Sequence, residues 1–322
     1  MVIVLVVLAA IYMGWSMGAN DAANCVGATI GSGVMSVRTG IIITCLFSFL
    51  GATLIGGNVI NTIGKGVIDM GSIPLYEKTL LAFAALFSAA IWTTLATYKK
   101  VPVSTSHAIV GAVAGGGILL STTLYFQKIT QIFICWILTP LGSCILTIFL
   151  YRLFIIFFMF KPLKRYRRLI MFILIYLTSA YLAFSWGAND VANATGVLVA
   201  LDFKSSHAAI IGASAIIFGV VTWGYRVIET VGFKIARITP VMTVAIGIAT
   251  ALNVHIYTRF GIPVSTSHSI IGAVWGAGIV KGIKTMNLRL AREIMVTWAI
   301  TPVVAGIITY ITLGIILVLT KQ

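Results

Sequence analysis

Long apolar stretches recur along the whole chain and are interrupted by short polar segments. Examples are residues 41–55, 80–96, 129–160, 169–186 and 294–319. A helix needs roughly 20 residues to cross about 30 Å of hydrocarbon, and several of these stretches are that long. Lipid cannot satisfy backbone polar groups, and the sequence lacks the alternating pattern of a membrane barrel, so helices are predicted. We therefore expect an all-α integral membrane protein with roughly 10–12 membrane segments, some of them broken or re-entrant.

The composition strengthens this prediction, with 60% hydrophobic and only 9% charged residues in 322. Lysine and arginine outnumber the acidic residues by 22 to 7, but they lie in short loops between apolar runs. That distribution is typical of the positive-inside rule and argues against a nucleic-acid partner. The densest basic cluster lies at 161–168, and we expect it to face the cytoplasm of a multi-pass protein in the inner or plasma membrane.

Four polar motifs occur twice along the chain, in the same order. They begin at Gly18 and Gly187 (Gly-Ala-Asn-Asp), Asn61 and Glu229 (Asn or Glu, then Thr-hydrophobe-Gly), Pro102 and Pro263 (Pro-Val-Ser-Thr-Ser-His), and Trp136 and Trp298 (Trp-x-x-Thr-Pro). Chance similarity would not preserve the order of four motifs, so the chain is predicted to be duplicated.

The duplication divides the chain into a first transmembrane repeat at 1–158, a basic cytoplasmic linker at 159–168 and a second transmembrane repeat at 169–322. A duplicated transporter has either parallel or inverted repeats. We favour inverted repeats, because a two-fold axis in the membrane plane brings equivalent motifs together at mid-depth.

The Gly-Ala-Asn-Asp motifs are candidates for cation binding. Their Asn and Asp residues are spaced so that they share one face of a helix. A carboxylate within an apolar span is costly and needs a partner, and neither motif contains a basic residue. Carboxylate and amide oxygens suit a hard cation such as Na⁺, although helix packing alone is an alternative role. The candidate cation-binding residues are Asn20, Asp21, Asn24, Asn189, Asp190 and Asn193.

The Pro-Val-Ser-Thr-Ser-His motifs are predicted to begin helices and to bind an anion. Free N–H groups and the helix dipole favour phosphate or sulfate at a helix N-terminus, and hydroxyl groups add donors without fixed charge. Ordinary helix capping is the alternative. The candidate anion-binding residues are Ser104, Thr105, Ser106, Ser265, Thr266 and Ser267. His107 and His268 are predicted to pack beside the site, and neither a cofactor nor a transition-metal site is expected.

The two classes of motif are linked by electrostatics. A divalent oxyanion beside Asp21 and Asp190 would gather about four negative charges in a space of low dielectric constant. Cation binding would therefore create affinity for the anion, and anion binding would raise the cation affinity by the same factor. This coupling predicts symport, with Na⁺ as the expected cation and H⁺ as the alternative.

With these motifs in this order, the chain resembles the inorganic phosphate transporter (PiT) family along nearly its whole length. The resemblance implies cation-coupled symport of phosphate by alternating access, on a fold with inverted repeats, and the family also includes some sulfate permeases. It implies cation roles for Asp21, Asn24, Asp190 and Asn193. It implies anion roles for the hydroxyl residues at 104–106 and 265–267.

Two features depart from the family pattern. Many members carry Glu in both Thr-hydrophobe-Gly motifs, whereas this chain has Asn61 in the first and Glu229 in the second. We treat this pair as auxiliary to coupling and leave the coupling ratio open. The linker is also short where some relatives insert a hydrophilic domain, which is typical of a compact prokaryotic form.

Other functions fit the sequence less well. An anion channel would have buried carboxylates near the path of its anion, and an intramembrane hydrolase would not need every candidate residue twice. Sulfate remains the alternative substrate, although phosphate carries a proton that acceptors such as Asp and Asn can bind. We expect phosphate, Na⁺ or H⁺ and the lipid bilayer as partners, and the sequence leaves a homodimer open.

Overall fold

The computed structural model describes residues 2–99, 103–159, 165–224, 239–282 and 288–320, and the side chains of 288–294 are not part of that description. Regular structure in these ranges is helical apart from one isolated bridge between Ile68 and Leu124. The prediction of an all-α fold is therefore confirmed.

Eleven α-helices follow one another along the described residues. They are α1 (Val2–Gly31), α2 (Val37–Ile55), α3 (Gly57–Lys65), α4 (Leu75–Tyr98), α5 (Thr105–Leu119), α6 (Phe126–Met159), α7 (Arg167–Val199), α8 (Ser205–Gly219), α9 (Pro240–Arg259), α10 (Thr266–Lys281) and α11 (Leu288–Thr320). A short 3₁₀ turn at Met70–Ser72 precedes α4, and a π-helical turn at Val220–Gly224 extends α8.

Eight of these helices are long and apolar enough to cross a membrane: α1, α2, α4, α6, α7, α8 with its π-helical turn, α9 and α11. The helices α5 and α10 are shorter, and each begins at a Ser-Thr-Ser-His motif, as a re-entrant segment would. Together with the nine-residue α3, the described residues therefore hold eight full-length spans and three shorter helices. The prediction of a multi-span protein is confirmed, and its count of 10–12 segments is reached only when the short helices are included.

The outer surface is rich in apolar side chains, unlike that of a water-soluble protein. Large apolar side chains such as Ile137, Ile145 and Val303 are exposed on α6 and α11, where they meet hydrocarbon in a membrane. The interior combines a large apolar core with a set of buried polar side chains, and both motif carboxylates are buried. The described helices α4 and α9 are mostly buried, whereas α6 and α11 lie at the periphery.

The two repeats are inverted. Gly14 packs against Ala215, and four residues later Gly18 packs against Gly219, so α1 and α8 run in the same direction. After the tight turn at 200–204, α8 packs back on α7 and so runs against it. As a result α1 is antiparallel to α7, its counterpart in the second repeat, and the prediction of inverted repeats is confirmed.

The repeats also exchange their packing partners. Helix α2 packs on α7 and α1 packs on α8, which joins the first halves of the repeats. Helix α5 packs on α11 and α10 packs on α6, so each short helix lies against the last long helix of the other repeat. A core formed in this way places the motifs of both repeats beside each other at the centre of the molecule.

Candidate functional site

Asp21 lies at the centre of the first half of the site. Thr105 Oγ1, at the start of α5, donates to Asp21 Oδ2 at 3.4 Å, and Ser267 Oγ, at the start of α10, donates to Asp21 Oδ1 at 3.3 Å. The amide nitrogens of Asn20 and Asn24 donate to Oδ1 at 3.2 and 3.1 Å. The carboxylate is therefore buried among hydroxyl and amide groups from three helices.

Asp190 occupies the equivalent place in the second half. Thr266 Oγ1 donates to Asp190 Oδ1 at 3.2 Å, as Thr105 does to Asp21. On the same helix face, the amide nitrogen of Asn193 donates to Ser106 Oγ at 3.0 Å and to Thr105 Oγ1 at 3.3 Å. The carbonyl oxygen of Asn193 is buried without a hydrogen-bond partner in the structure, which leaves one strong acceptor available for a ligand.

The repeats share their sites through matching hydrogen bonds. Asn24 Nδ2 donates to Ser267 Oγ at 2.8 Å, and Asn193 Nδ2 donates to Ser106 Oγ at 3.0 Å. Each asparagine therefore bonds a serine of the other repeat. Ser106 Oγ in turn donates to the Val264 carbonyl oxygen at 3.0 Å, which joins the two Ser-Thr-Ser segments directly.

The Ser-Thr-Ser segments begin helices, as the sequence predicts. Ser104 caps α5 by accepting from the His107 N–H at 3.2 Å, and Ser265 caps α10 by accepting from the His268 N–H at 3.3 Å. In an α-helix the first N–H groups have no partner within the helix, so the starts of α5 and α10 both present donors and a positive dipole end here. This geometry fits the binding of an anion between two helix starts.

Two threonines that the sequence reasoning missed support the remaining asparagines. Thr97 Oγ1 donates to Asn20 Oδ1 at 3.0 Å. The amide group of Asn189 lies 3.0 Å from Thr258 Oγ1. With the amide oxygen turned toward Thr258, that oxygen accepts from Thr258 and the amide nitrogen donates to Asp190 Oδ1 at 3.1 Å, which is the pattern that Asn20 makes with Thr97 and Asp21. Thr97 and Thr258 differ by 161 positions, the same offset as the Pro-Val-Ser-Thr-Ser-His motifs, and that offset could have revealed them.

The candidate residues of both kinds thus lie in one cluster. The predicted cation faces share hydrogen bonds with Thr105, Ser106, Thr266 and Ser267, whereas Ser104 and Ser265 only cap their helices. Asn61 lies outside this cluster, since it is exposed on α3 and accepts from Ser205 Oγ at 3.1 Å. Glu229 and Pro102 lie outside the described residues, so the auxiliary role of the Asn61 and Glu229 pair stays a prediction.

The ionisable side chains at the centre of the site are acidic. Asp21 and Asp190 are the acidic residues buried in the part of the chain whose burial is described, and no lysine or arginine is buried there. No group of three or more His, Cys, Asp or Glu side chains able to hold a metal ion occurs among the described residues. The carboxylate, amide and hydroxyl oxygens of this cluster are the ligands that hard cations prefer.

An inverted-repeat bundle of membrane helices around a buried polar site defines a membrane transporter rather than an enzyme. A sequence profile of the phosphate transporter family matches residues 17–176 and again residues 163–309, so the chain belongs to the phosphate transporter family. The two matches cover both copies of each site motif in the described cluster.

Individual relatives agree with this assignment. The chain is 30% identical to a protein of Pyrococcus furiosus named as a candidate phosphate permease, over 95% of this chain and 94% of that protein. It is 28% identical to a protein of the same description from Chlamydia muridarum, over 93% of this chain and 94% of that protein. A solved structure described as the sodium-dependent phosphate transporter matches 98% of this chain and 99% of its own, with a TM-score of 0.89 and 24% identity, which supports the fold.

Proposed function

We propose that this protein is a symporter that couples the entry of cations, most simply Na⁺, to the movement of inorganic phosphate by alternating access. The observation that carries the proposal is the cluster in which both Asp-Asn helix faces contact both Ser-Thr-Ser helix starts. Family membership supports phosphate as the substrate, and the structural relative described as sodium-dependent supports Na⁺.

The cation assignment rests on the oxygen atoms around each carboxylate. The hydroxyl groups of Thr105 and Ser267 donate to Asp21, and that of Thr266 donates to Asp190. The amide oxygen of Asn193, one helical turn after Asp190, is buried without a partner. A buried carboxylate without a basic partner is costly, and a bound Na⁺ would offset that cost with its own charge. Protonation of an aspartate would serve the same purpose, which keeps H⁺ as the alternative.

The anion assignment rests on the two opposed helix starts. Phosphate between α5 and α10 would accept hydrogen bonds from backbone N–H groups and from hydroxyl groups of both repeats. Its own proton would donate to an acceptor oxygen of the cluster, and sulfate has no such proton. We therefore infer that phosphate is preferred over sulfate at this site.

Coupling follows because the cation and the anion meet the same residues. Ser267 bonds both Asn24 and Asp21, and Asn193 bonds Ser106 and Thr105, so ordering one subsite orders the other. Cation binding neutralises the carboxylates that would otherwise repel phosphate. Linkage then requires phosphate to raise the cation affinity by an equal factor. We place the protein in the cell membrane with the 159–168 linker in the cytoplasm, on the basis of its basic residues.

The test is uptake of radiolabelled phosphate into proteoliposomes that contain the purified protein. We expect an inward Na⁺ gradient to drive accumulation, an inward H⁺ gradient to drive less, and a large excess of sulfate to compete weakly. Accumulation that ignores both gradients would contradict symport and favour a channel. Strong competition by sulfate would assign the site to tetrahedral oxyanions in general.

Matched variants connect the activity to the cluster. Asp21→Asn and Asp190→Asn should each abolish the Na⁺ dependence of uptake, because the remaining amide cannot offset the charge of the cation. Asp202→Asn is the control, since Asp202 is exposed in the turn before α8 at a φ of 64°, which asparagine adopts readily. Unchanged Na⁺ dependence in both Asp21→Asn and Asp190→Asn would remove the proposed cation role.

A further inference from the structure

The two long peripheral helices contain a proline at equivalent positions. Pro140 lies inside α6 and Pro302 inside α11. A proline has no N–H, so the carbonyl group four residues earlier loses its partner within the helix. Those carbonyl groups belong to Trp136 and Trp298, the first residues of the repeated Trp-x-x-Thr-Pro motif. Each peripheral helix therefore has a free backbone acceptor inside the protein, where an unmet hydrogen bond is costly.

A histidine of the other repeat meets each of these acceptors. His107 Nδ1 lies 3.0 Å from the Trp298 carbonyl oxygen, and His268 Nδ1 lies 3.4 Å from that of Trp136. A carbonyl only accepts, so Nδ1 carries the hydrogen in both rings. Nε2 of each ring is buried without a partner, which fits a neutral imidazole that is held in place by one bond.

The same four residues form a stack of rings across the centre of the molecule. Ring centroids are 3.6 Å apart for His107 and Trp136, 4.5 Å for the two histidines, and 3.5 Å for His268 and Trp298. Trp136 makes a further contact, since its indole N–H donates to the Pro263 carbonyl oxygen at 3.1 Å. Each tryptophan thus contacts both histidines, through its ring on one side and its backbone on the other.

The histidines directly follow the anion-binding hydroxyl residues. His107 comes after Ser106 in the first turn of α5, and its own N–H donates to the capping Ser104. His268 has the same relation to Ser267 and Ser265 in α10. A displacement of either imidazole would therefore move a helix start, including its N–H groups and hydroxyl groups.

We propose that His107 and His268 are positioning residues for the substrate anion. Each imidazole fastens the start of one short helix to the carbonyl group that a proline has freed in the other repeat, and the stacked rings hold the two helix starts opposite each other. This inference rests on the proposed function, because it assigns the helix starts to phosphate. The histidines act on phosphate through the helix ends and do not touch it.

Two substitutions of His107 separate the hydrogen bond from the ring. His107→Asn places an amide N–H where Nδ1 stands and keeps the bond to Trp298, whereas His107→Gln places its amide nitrogen one atom further out and loses that bond. We expect His107→Gln to raise the KM for phosphate about tenfold, as the loss of one buried hydrogen bond would. We expect the KM of His107→Asn to lie close to that of the unchanged protein, because the bond is kept. His207→Gln, at an exposed histidine of α8, is the control and should behave like the unchanged protein.

The proline provides an independent test. In Pro302→Ala the new N–H bonds the Trp298 carbonyl within α11 and competes with His107 for that acceptor, which weakens the bond from the imidazole. We expect this variant to keep or raise the midpoint of thermal unfolding while its KM for phosphate rises. Combining it with His107→Gln should add no further rise in KM beyond that of His107→Gln alone, because both changes act on the same bond.

The measurements are KM and maximal rate of phosphate uptake, equilibrium binding of labelled phosphate to the purified protein in Na⁺, and thermal unfolding in detergent. Lower unfolding midpoints with an unchanged KM in His107→Gln and Pro302→Ala would overturn the proposal and leave only a packing role. Equal damage from His107→Asn and His107→Gln would overturn it as well. Equilibrium binding tests the positioning role even if uptake by the unchanged protein proves independent of cations, which would contradict symport alone.

Discussion

The crossing of α5 and α11 leaves no room for a side chain at Gly111. A Cβ atom there would lie 2.6 Å from the Pro302 carbonyl carbon and closer still to its oxygen, whereas ordinary contact begins at 3.4 Å. Gly111→Ala therefore has to move α5 away from α11 by about 1 Å. Overpacking of this kind costs about 1–3 kcal/mol, and the contact atoms are backbone, which cannot turn aside.

The displaced helix begins at the proposed anion site, and Gly111 lies one turn after His107. We expect Gly111→Ala to lower phosphate uptake at least about tenfold, since a shift of about 1 Å in a binding group can cost 10²-fold in activity. The midpoint of thermal unfolding in detergent should fall by roughly 5 °C. Uptake into proteoliposomes and unfolding are measured on the same preparation.

Gly314→Ala is the matched control on α11. Its Cβ would meet only Leu119 Cδ2, at 3.8 Å, which is an ordinary contact. We expect unchanged uptake and a small gain in stability, because alanine is about 0.5–1 kcal/mol better than glycine within a helix. Equal results for Gly111→Ala and Gly314→Ala would refute the close crossing, and so would a stable Gly111→Ala protein with unchanged uptake.

Three further predictions concern the polar interior. Asn193→Ala should raise the Na⁺ concentration for half-maximal uptake about tenfold, because it removes a buried oxygen from the proposed cation site; a Na⁺ titration of uptake checks this. Thr97→Val should raise the Na⁺ concentration for half-maximal uptake about threefold, because valine keeps the shape of the side chain but loses the bond to Asn20. An unchanged titration would show that Thr97 does not orient Asn20. Asn253→Leu should lower the unfolding midpoint by several degrees without altering the Na⁺ titration, because Asn253 Nδ2 donates to Ser143 Oγ and to the Thr139 carbonyl oxygen, both at 2.8 Å, in a cluster outside the site.

The sequence predicted the membrane helices, the duplication and the two kinds of motif, because each depends on local composition or on order along the chain. The inversion did not follow from the order of the motifs, and we favoured it only because it brings equivalent motifs together at mid-depth. Asp21 and Asn24 share a helix face by spacing alone, and a helix start at Ser104 follows from its capping chemistry. The lengths of the helices were harder to predict. Whether the apolar run at 129–160 forms one long helix or two spans depends on the helices that pack against it. The structure makes it the single helix α6.

The pairing between motifs was beyond reach of a single sequence. Nothing in the spacing of residues indicates that Asn24 bonds Ser267 of the other repeat instead of Ser106 of its own, because that choice depends on how the repeats cross. The same limit applies to His107, whose acceptor lies 191 residues away on α11. Thr97 and Thr258 are common residues near helix ends, and only their matching offset distinguished them.

The exchange of contacts between the repeats bears on how such a protein could arise. Asn24 and Asn193 each find their serine in the opposite repeat, and each short helix packs on the last helix of the opposite repeat. One repeat alone would therefore hold half of each ligand set and no complete site. A single-repeat ancestor would assemble the cluster only from two copies inserted in opposite orientations. Gene fusion would then join the two copies and keep one in each orientation.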